Sequence, residues 1–307
     1  MYRVKELNIF FTRLIINYTH PMSSLTNSPI GVFDSGVGGI SVLRAIREQM
    51  PEEAVLYFGD QGHVPYGWRS MEQIQNFSEA ITRFLLEQEA KIIVVACNTA
   101  SAAALKYLRE KFLDIPFVGM EPAIKPAAEH TQTGRVGVLA TPTTFQGALY
   151  ASVVERFANG VELLQDTCPG LVQQIEQGDL HGKETRRILE QALLPMLEKN
   201  IDTVVLGCTH YPFVIPLIQQ IVGASVRVID PAPAVAKQVR RVLEVRCMRS
   251  EPESQGNFKF YTSGDSDVLE SMLPKLLGER NEVWRVDWLN DHVIVREPPS
   301  GDRSNLK

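Results

Sequence analysis

Val94-Val95-Ala96-Cys97-Asn98-Thr99 and, 111 positions further on, Val205-Leu206-Gly207-Cys208-Thr209-His210 share one plan. Each is a short apolar run, a small residue, a cysteine, then polar residues opening the next segment. Continuous apolarity without alternation marks a strand buried on both faces, as in a parallel sheet covered by helices. The same signature recurs at Ile30-Gly31-Val32-Phe33 and at 54–58, 136–140 and 226–229. Helical patterns lie between them: Val42, Leu43 and Ile46 share a face, as do Leu105, Leu108 and Phe112. Strand–helix alternation predicts an α/β fold. The duplicated cysteine plan, about one domain length apart, predicts two pseudo-symmetric doubly wound lobes with mainly parallel sheets. In open α/β sheets ligands bind at the carboxyl ends of the strands. An active site is therefore expected in the cleft between the lobes, with Cys97 and Cys208 on either side of one ligand.

The 307 residues suffice for two compact domains or one large one, and 44% hydrophobic with 22% charged residues is ordinary for a soluble globular chain. A net charge of -5 gives no general attraction to nucleic acid, and none is expected as a partner. Arg240, Arg241, Arg246 and Arg249 read as a solvated helix face. The four cysteines, Cys97, Cys168, Cys208 and Cys247, form no C-x-x-C pair and are too sparse for a disulfide scaffold. Single thiols of this kind suit a reducing compartment, so a cytoplasmic location is expected. In residues 1–28, Arg3 and Lys5 precede Ile9-Phe10-Phe11, but Arg13 interrupts the run before Leu14-Ile15-Ile16, and no small-residue cleavage site follows. No stretch approaches the about 20 apolar residues of a membrane span, and no membrane partner is expected. Met22 offers a second start, and 1–28 are read as an extension outside the fold without a part in the chemistry.

A cysteine just before a helix sits at the positive end of the helix dipole, which predicts a lowered thiol pKa. Thiolate and thiol on opposite sides of one carbon make a two-base system: one takes a proton from one face, the other delivers a proton to the opposite face. Cys247 has no such context, and Cys168, in Cys168-Pro169-Gly170, is left open. Asp34-Ser35-Gly36-Val37-Gly38-Gly39 follows a strand, and its glycines would let backbone amides approach an anion. The G-x-G-x-x-G spacing of a dinucleotide site is absent there, and Asp34 would repel a phosphate. His210, two residues after Cys208, is placed to polarise that thiol or donate to a carboxylate. A zinc site from Cys97, Cys208 and His210 is conceivable, but no compact ligand spacing supports it. P-loop, G-x-S-x-G and H-E-x-x-H motifs are missing, and no lysine stands in a pyridoxal phosphate context. Neither metal nor cofactor is expected.

Four blocks, Phe33-Asp34-Ser35-Gly36-Val37-Gly38-Gly39, Pro65-Tyr66-Gly67, Ala96-Cys97-Asn98-Thr99-Ala100-Ser101 and Gly207-Cys208-Thr209-His210-Tyr211-Pro212, resemble the signatures of the glutamate racemases in order and spacing. The resemblance runs from about Ile30 to the segment 258–264. It implies cofactor-independent interconversion of L- and D-glutamate, supplying D-glutamate for peptidoglycan, by a cytoplasmic homodimer. Cys97 and Cys208 match the two catalytic thiols. Asp34 and His210 match the polar residues flanking them, and Glu176 resembles a further acidic residue of the site. Ser35, Pro65, Tyr66, Gly67, Asn98, Thr99 and Thr209, together with Asp34 and His210, match substrate-contact positions. Thr141 and Thr144 match a carboxylate-binding loop. Chain after about Asp230 is expected to return to the first lobe, giving lobes of 29–121 plus 231–295 and of 122–230, with a tail at 296–307. The sequence departs from the family pattern at Gln61-Gly62-His63-Val64, Met120-Glu121-Pro122 and Pro169-Gly170-Leu171.

Two other readings compete. An aspartate racemase, or another amino-acid racemase of the same superfamily, would use the same thiols with another side-chain pocket; His210 favours glutamate, since the aspartate relatives tend to have glutamate there. A regulatory binding protein of the gyrase-inhibitor type would not need both thiols intact.

Overall fold

The computed structural model describes residues 26–254, 256–289 and 292–296. Strand β1 (Ile30–Asp34) leads to helix α1 (Ile40–Gln49), then β2 (Val55–Gly59), α2 (Met71–Glu87), β3 (Ile92–Val95), α3 (Asn98–Lys111) and β4 (Phe117–Gly119). After α4 (Ile124–His130) a second unit repeats the scheme: β5 (Arg135–Ala140), α5 (Pro142–Gln146), α6 (Ala148–Phe157), β6 (Glu162–Asp166), α7 (Leu171–Glu176), α8 (Lys183–Glu198), β7 (Thr203–Gly207), α9 (Ile215–Val222) and β8 (Arg227–Ile229). Then α10 (Ala232–Val245) packs on α1, and β9 (Phe258–Thr262), α11 (Ser266–Leu276), β10 (Val283–Leu289) and β11 (His292–Val295) follow.

The strands form two sheets, ordered β11-β10-β9-β2-β1-β3-β4 and β6-β5-β7-β8. All pairings are parallel except β10 with β11. The first four strands of the chain lie side by side at one end of the larger sheet in the order second, first, third, fourth, and the smaller sheet runs the same way. β1 therefore corresponds to β5 and β3 to β7, the internal symmetry that the cysteine motifs announce. In each unit the chain reverses direction across the sheet at the first strand, so a crevice opens between the first and third strands at their carboxyl ends.

Strands β1, β2, β3 and β7 are buried along their whole length, which their unbroken apolar runs anticipate. β6 lies at a sheet edge with only partial burial, and β10 is buried only at Val283 and Val286, so neither carries a continuous apolar run. Helix α2 begins with a capping box, Ser70 and Gln73 each satisfying the other's backbone amide. The arginines of α10 lie in solvent, and Arg240 and Arg249 pair with Glu244.

The boundary of the N-terminal extension needs correcting. The Thr26 carbonyl, inside the stretch 1–28, accepts from Lys91 Nζ and from Ser250 Oγ, each at 2.8 Å. Lys91 is buried in an ion pair of 2.6 Å with Glu53, and a buried ammonium needs further acceptors besides its counter-charge. The fold thus takes in Thr26; residues 1–25, and residues 297–307 of the tail, lie outside the described residues. Among the described residues no helix is long and apolar enough to cross a membrane.

Candidate active site

The carboxyl ends of β1 and β3 present Asp34 and, two residues past β3, Cys97; those of β5 and β7 present Thr141 and Cys208. Both thiols are buried, and both line one cavity between the two sheets. Ser35, Pro65, Tyr66, Gly67, Asn98, Thr99, Thr141, Val172, Thr209 and His210 complete its wall. The cavity measures about 20 Å³, room for one water-sized body and far below the roughly 300 Å³ at which ligand pockets begin. Asn98 has both side-chain amide atoms buried without a hydrogen-bond partner. Buried polar groups are nearly always bonded, so this pair marks a position built for something polar.

Cys97 caps α3 from an extended backbone, and its sulfur accepts from the Ala100 amide at 3.4 Å and lies 3.8 Å from Ser35 Oγ. The lowered pKa expected from this placement is overturned: burial, and then the charge of Asp34, push the Cys97 thiol well above its ordinary value. The amide at the helix start offsets only part of that desolvation. Cys208 departs from the expected plan in another way. A turn and a 3₁₀ helix, Tyr211–Val214, follow it rather than an α-helix, and α9 starts only at Ile215. Pro212, lacking an N–H, favours a short first turn here. Cys208 faces a side chain instead of a helix dipole: its sulfur lies 3.7 Å from His210 Nδ1.

His210 Nε2 donates to Glu176 Oε1 at 2.6 Å. Desolvation works against the imidazolium, but the hydrogen bonds to Cys208 and Glu176 outweigh it and hold the His210 pKa well above its ordinary value. Glu176 is desolvated too, yet the bond from His210 and the Val37 amide keep its carboxyl below the usual range. The result is a carboxylate–imidazolium–sulfur line behind one thiol, whereas the other is held neutral by its surroundings.

The amides of the glycine turn, expected to cradle an outside anion, are occupied from within. Gly36 N donates to Asp34 Oδ1 and Val37 N to Glu176 Oε1, both at 2.8 Å. A Cβ at Gly36 would overlap the Glu176 carboxylate, and one at Gly38 would overlap the His210 ring. These glycines are required by close approach of the other lobe, not by the backbone angle. Asp34 is fully buried; burial raises its pKa, with His210 and the Gly36 amide opposing.

Of the residues matched to substrate contact, Ser35, Pro65, Tyr66, Gly67, Asn98, Thr99, Thr141, Thr209 and His210 line the cavity, whereas Asp34 and Thr144 stand behind the wall. Asp34 accepts from Thr209 Oγ1 at 3.0 Å, and Thr144 shares a 2.9 Å bond with Thr141, itself 2.9 Å from Thr99. Their side chains are spent on neighbours, so they shape contact residues. Glu176 likewise reaches the site through His210. Cys168 is buried away from the cavity wall, its thiol pushed up by burial and Asp166, and Cys247 is exposed. Asp60 was not singled out in the sequence. Fully buried beyond β2, it takes hydrogen bonds from Tyr66 Oη (2.5 Å), Ser263 Oγ (2.6 Å) and Trp288 Nε1 (3.1 Å), fixing the Pro65–Gly67 wall. Its position one residue past an apolar strand was the available signal. Among the described residues no group of three His, Cys, Asp or Glu is arranged to hold a metal ion.

Two equivalent strands thus bring buried thiols to one small cavity. The chain belongs to the Asp/Glu/hydantoin racemase family, whose model matches residues 30–239. Within that family its similarity is to glutamate racemases. That of Pseudomonas paraeruginosa is 50% identical over 261 residues, 85% of this chain and 98% of the relative. Among solved structures, a glutamate racemase isoform of Bacillus anthracis aligns with a TM-score of 0.76 at 34% identity, covering 85% of this chain and 98% of that one. The Escherichia coli glutamate racemase, solved with L-glutamate and the activator UDP-MurNAc-ala, aligns at 0.74 with 33% identity, over 88% of this chain and 100% of that one.

Proposed function

We propose that this chain is a glutamate racemase that inverts Cα by proton transfer between Cys97 and Cys208. The observation that carries the reading is the pair of buried thiols, set on equivalent strands and facing one cavity. In one direction a thiolate takes the Cα proton and becomes a thiol. The C–H electron pair passes into the adjoining carboxylate as an enolate, and the thiol on the opposite face then donates its proton to Cα. The thiols end with their protonation states exchanged, which suits a reaction that must start from either enantiomer.

His210 Nδ1 stands 3.7 Å from the Cys208 sulfur, within reach to exchange a proton with it, and Glu176 keeps that ring oriented. Cys97, held as a thiol, is the complementary proton donor in the resting state. The unpartnered Asn98 amide, with Thr99, Thr141 and Ser35, offers donors for two carboxylates. Asp34 lies behind Thr209 and next to Cys97, near where an ammonium would be balanced. An enolate intermediate needs a dry, preorganised site, and the small cavity with its buried thiols suits that need. Substrate entry then requires the lobes, taken as 26–121 plus 231–295 and 122–230, to part. A homodimer in the cytoplasm, making D-glutamate for peptidoglycan, completes the reading.

Circular dichroism of the purified protein with D-glutamate, without added cofactor, tests it: the signal should decay to zero. Cα exchange in deuterated water with aspartate but not glutamate would point to the related aspartate enzymes instead. Sedimentation velocity tests the dimer.

A further inference from the structure

Gln61 stands outside the cavity wall, at a point where the sequence departs from the family pattern. Its amide is nevertheless bonded at both ends. Gln61 Nε2 donates to Glu176 Oε2 at 3.1 Å, and Gln61 Oε1 accepts from Thr262 Oγ1 at 2.9 Å. Thr262, fully buried at the end of β9, accepts from the Gly264 amide at 3.0 Å, so its own hydroxyl hydrogen is left to donate to Gln61. That polarity fixes the amide: its oxygen must face Thr262 and its nitrogen Glu176, a carboxylate that only accepts. Glu176 ends a helix of six residues and reaches across to the larger sheet. Its Oε1 serves Val37 and His210, whereas its Oε2 has Gln61.

We infer that Gln61 is a positioning residue for one half of the reaction, holding the Glu176 carboxylate from the opposite lobe and thereby aiming His210 at the Cys208 sulfur. The inference rests on the proposed racemase reading and deepens it. Gln61 has no contact with the surroundings of Cys97, whose sulfur neighbours are the Ala100 amide and Ser35. The effect of Gln61 is therefore one-sided. Misaligning an acid–base group by about 1 Å can cost up to about a hundredfold in rate.

The test uses the full chain carrying Gln61→Met, which keeps length but removes both bonds, and glutamate deuterated at Cα as each separate enantiomer. The expected result is a fall in kcat of roughly tenfold, with a larger primary isotope effect for one enantiomer only. That enantiomer should be the one whose isotope effect also rises in His210→Asn. A purely structural role would alter both enantiomers alike or neither, and either outcome overturns the inference. Should Gln61→Met fail to fold, Thr262→Val frees the same amide from its far side and must give the same one-sided change, or the inference falls. A wild-type protein that does not racemise glutamate removes the reading and this inference together. A racemising wild type with enantiomer-blind variants removes the inference alone.

Discussion

Thr209 Oγ1 donates to Asp34 Oδ2 across 3.0 Å, tying the residue after one thiol to the strand end beside the other. Each lobe therefore completes the surroundings of its partner's sulfur. Asp34 shows the energetic side of this arrangement, for burial raises its pKa above the ordinary 3.8. A carboxyl whose folded pKa is raised weakens the fold as pH climbs from about the unfolded value through the folded one. At neutral pH its charge is a net strain on stability. We expect Asp34→Asn to leave Tm unchanged or raise it at pH 7, with no gain below pH about 4, while kcat drops by tenfold or more. Calorimetry across that pH range with parallel kinetics checks both; a large loss of Tm at pH 7 would refute the account.

His210 has the opposite sign. Its pKa is raised above 6.5 by Cys208 and Glu176 despite desolvation, so its stabilisation is full below 6.5 and is lost as pH rises through the folded value. Replacing it with asparagine leaves the buried Glu176 charge without its cation and should cost about 3 kcal/mol, the lower end for a broken buried pair. In urea titrations the gap between wild type and variant should shrink toward alkaline pH. A gap that widens there contradicts the assignment.

The two thiols can be told apart only by the right measurement. L- and D-glutamate are equal in free energy, so kcat/KM must be the same in both directions for any variant. Cys97→Ser and Cys208→Ser should each lower it by roughly 10²–10⁴. Their isotope effects with the two Cα-deuterated enantiomers should move in opposite senses, each variant slowing proton removal from a different one. Identical isotope patterns in the two variants would undo the assignment of one thiol to each face.

Gly36 and Gly38 are predicted to be intolerant of alanine for a reason local to the site. The added Cβ would meet the Glu176 carboxylate in the first case, and the His210 ring and Thr209 Oγ1 in the second. Overpacking of this kind costs about 1–3 kcal/mol. Activity should suffer more than stability, because the clash pries the two lobes apart at the catalytic line. Thermal melts and steady-state kinetics of Gly38→Ala check this; full activity would show that the close approach is dispensable.

Much of this is legible in the sequence because buried parallel strands write themselves as unbroken apolar runs. Ile30 to Phe33, Ile92 to Val95 and Thr203 to Gly207 are of that kind, and the cysteine after two of them marks the symmetry. β6 was missed because an edge strand is wet on several positions, and Glu162-Leu163-Leu164-Gln165-Asp166 reads as neither pattern. The direction of the Cys97 pKa is not legible in the sequence because helix placement is visible there, whereas desolvation depends on everything that folds over the thiol. Asp60 escaped for a related reason: its donors Ser263 and Trp288 lie some two hundred residues away. Gln61 looked like a departure from pattern, and only the contact with Glu176 gives it meaning.

The cavity of about 20 Å³ also bears on how long the protein survives. Sulfurs that become nucleophilic during turnover are natural targets for peroxide, and oxidation past the sulfenic stage is largely irreversible. The burial that would keep water from an enolate in the proposed mechanism would also limit access of oxidant to Cys97 and Cys208. Loss of activity under peroxide should then track how often the proposed parting of the lobes exposes the two sulfurs, making durability under oxidative stress a matter of access rather than of the thiols themselves.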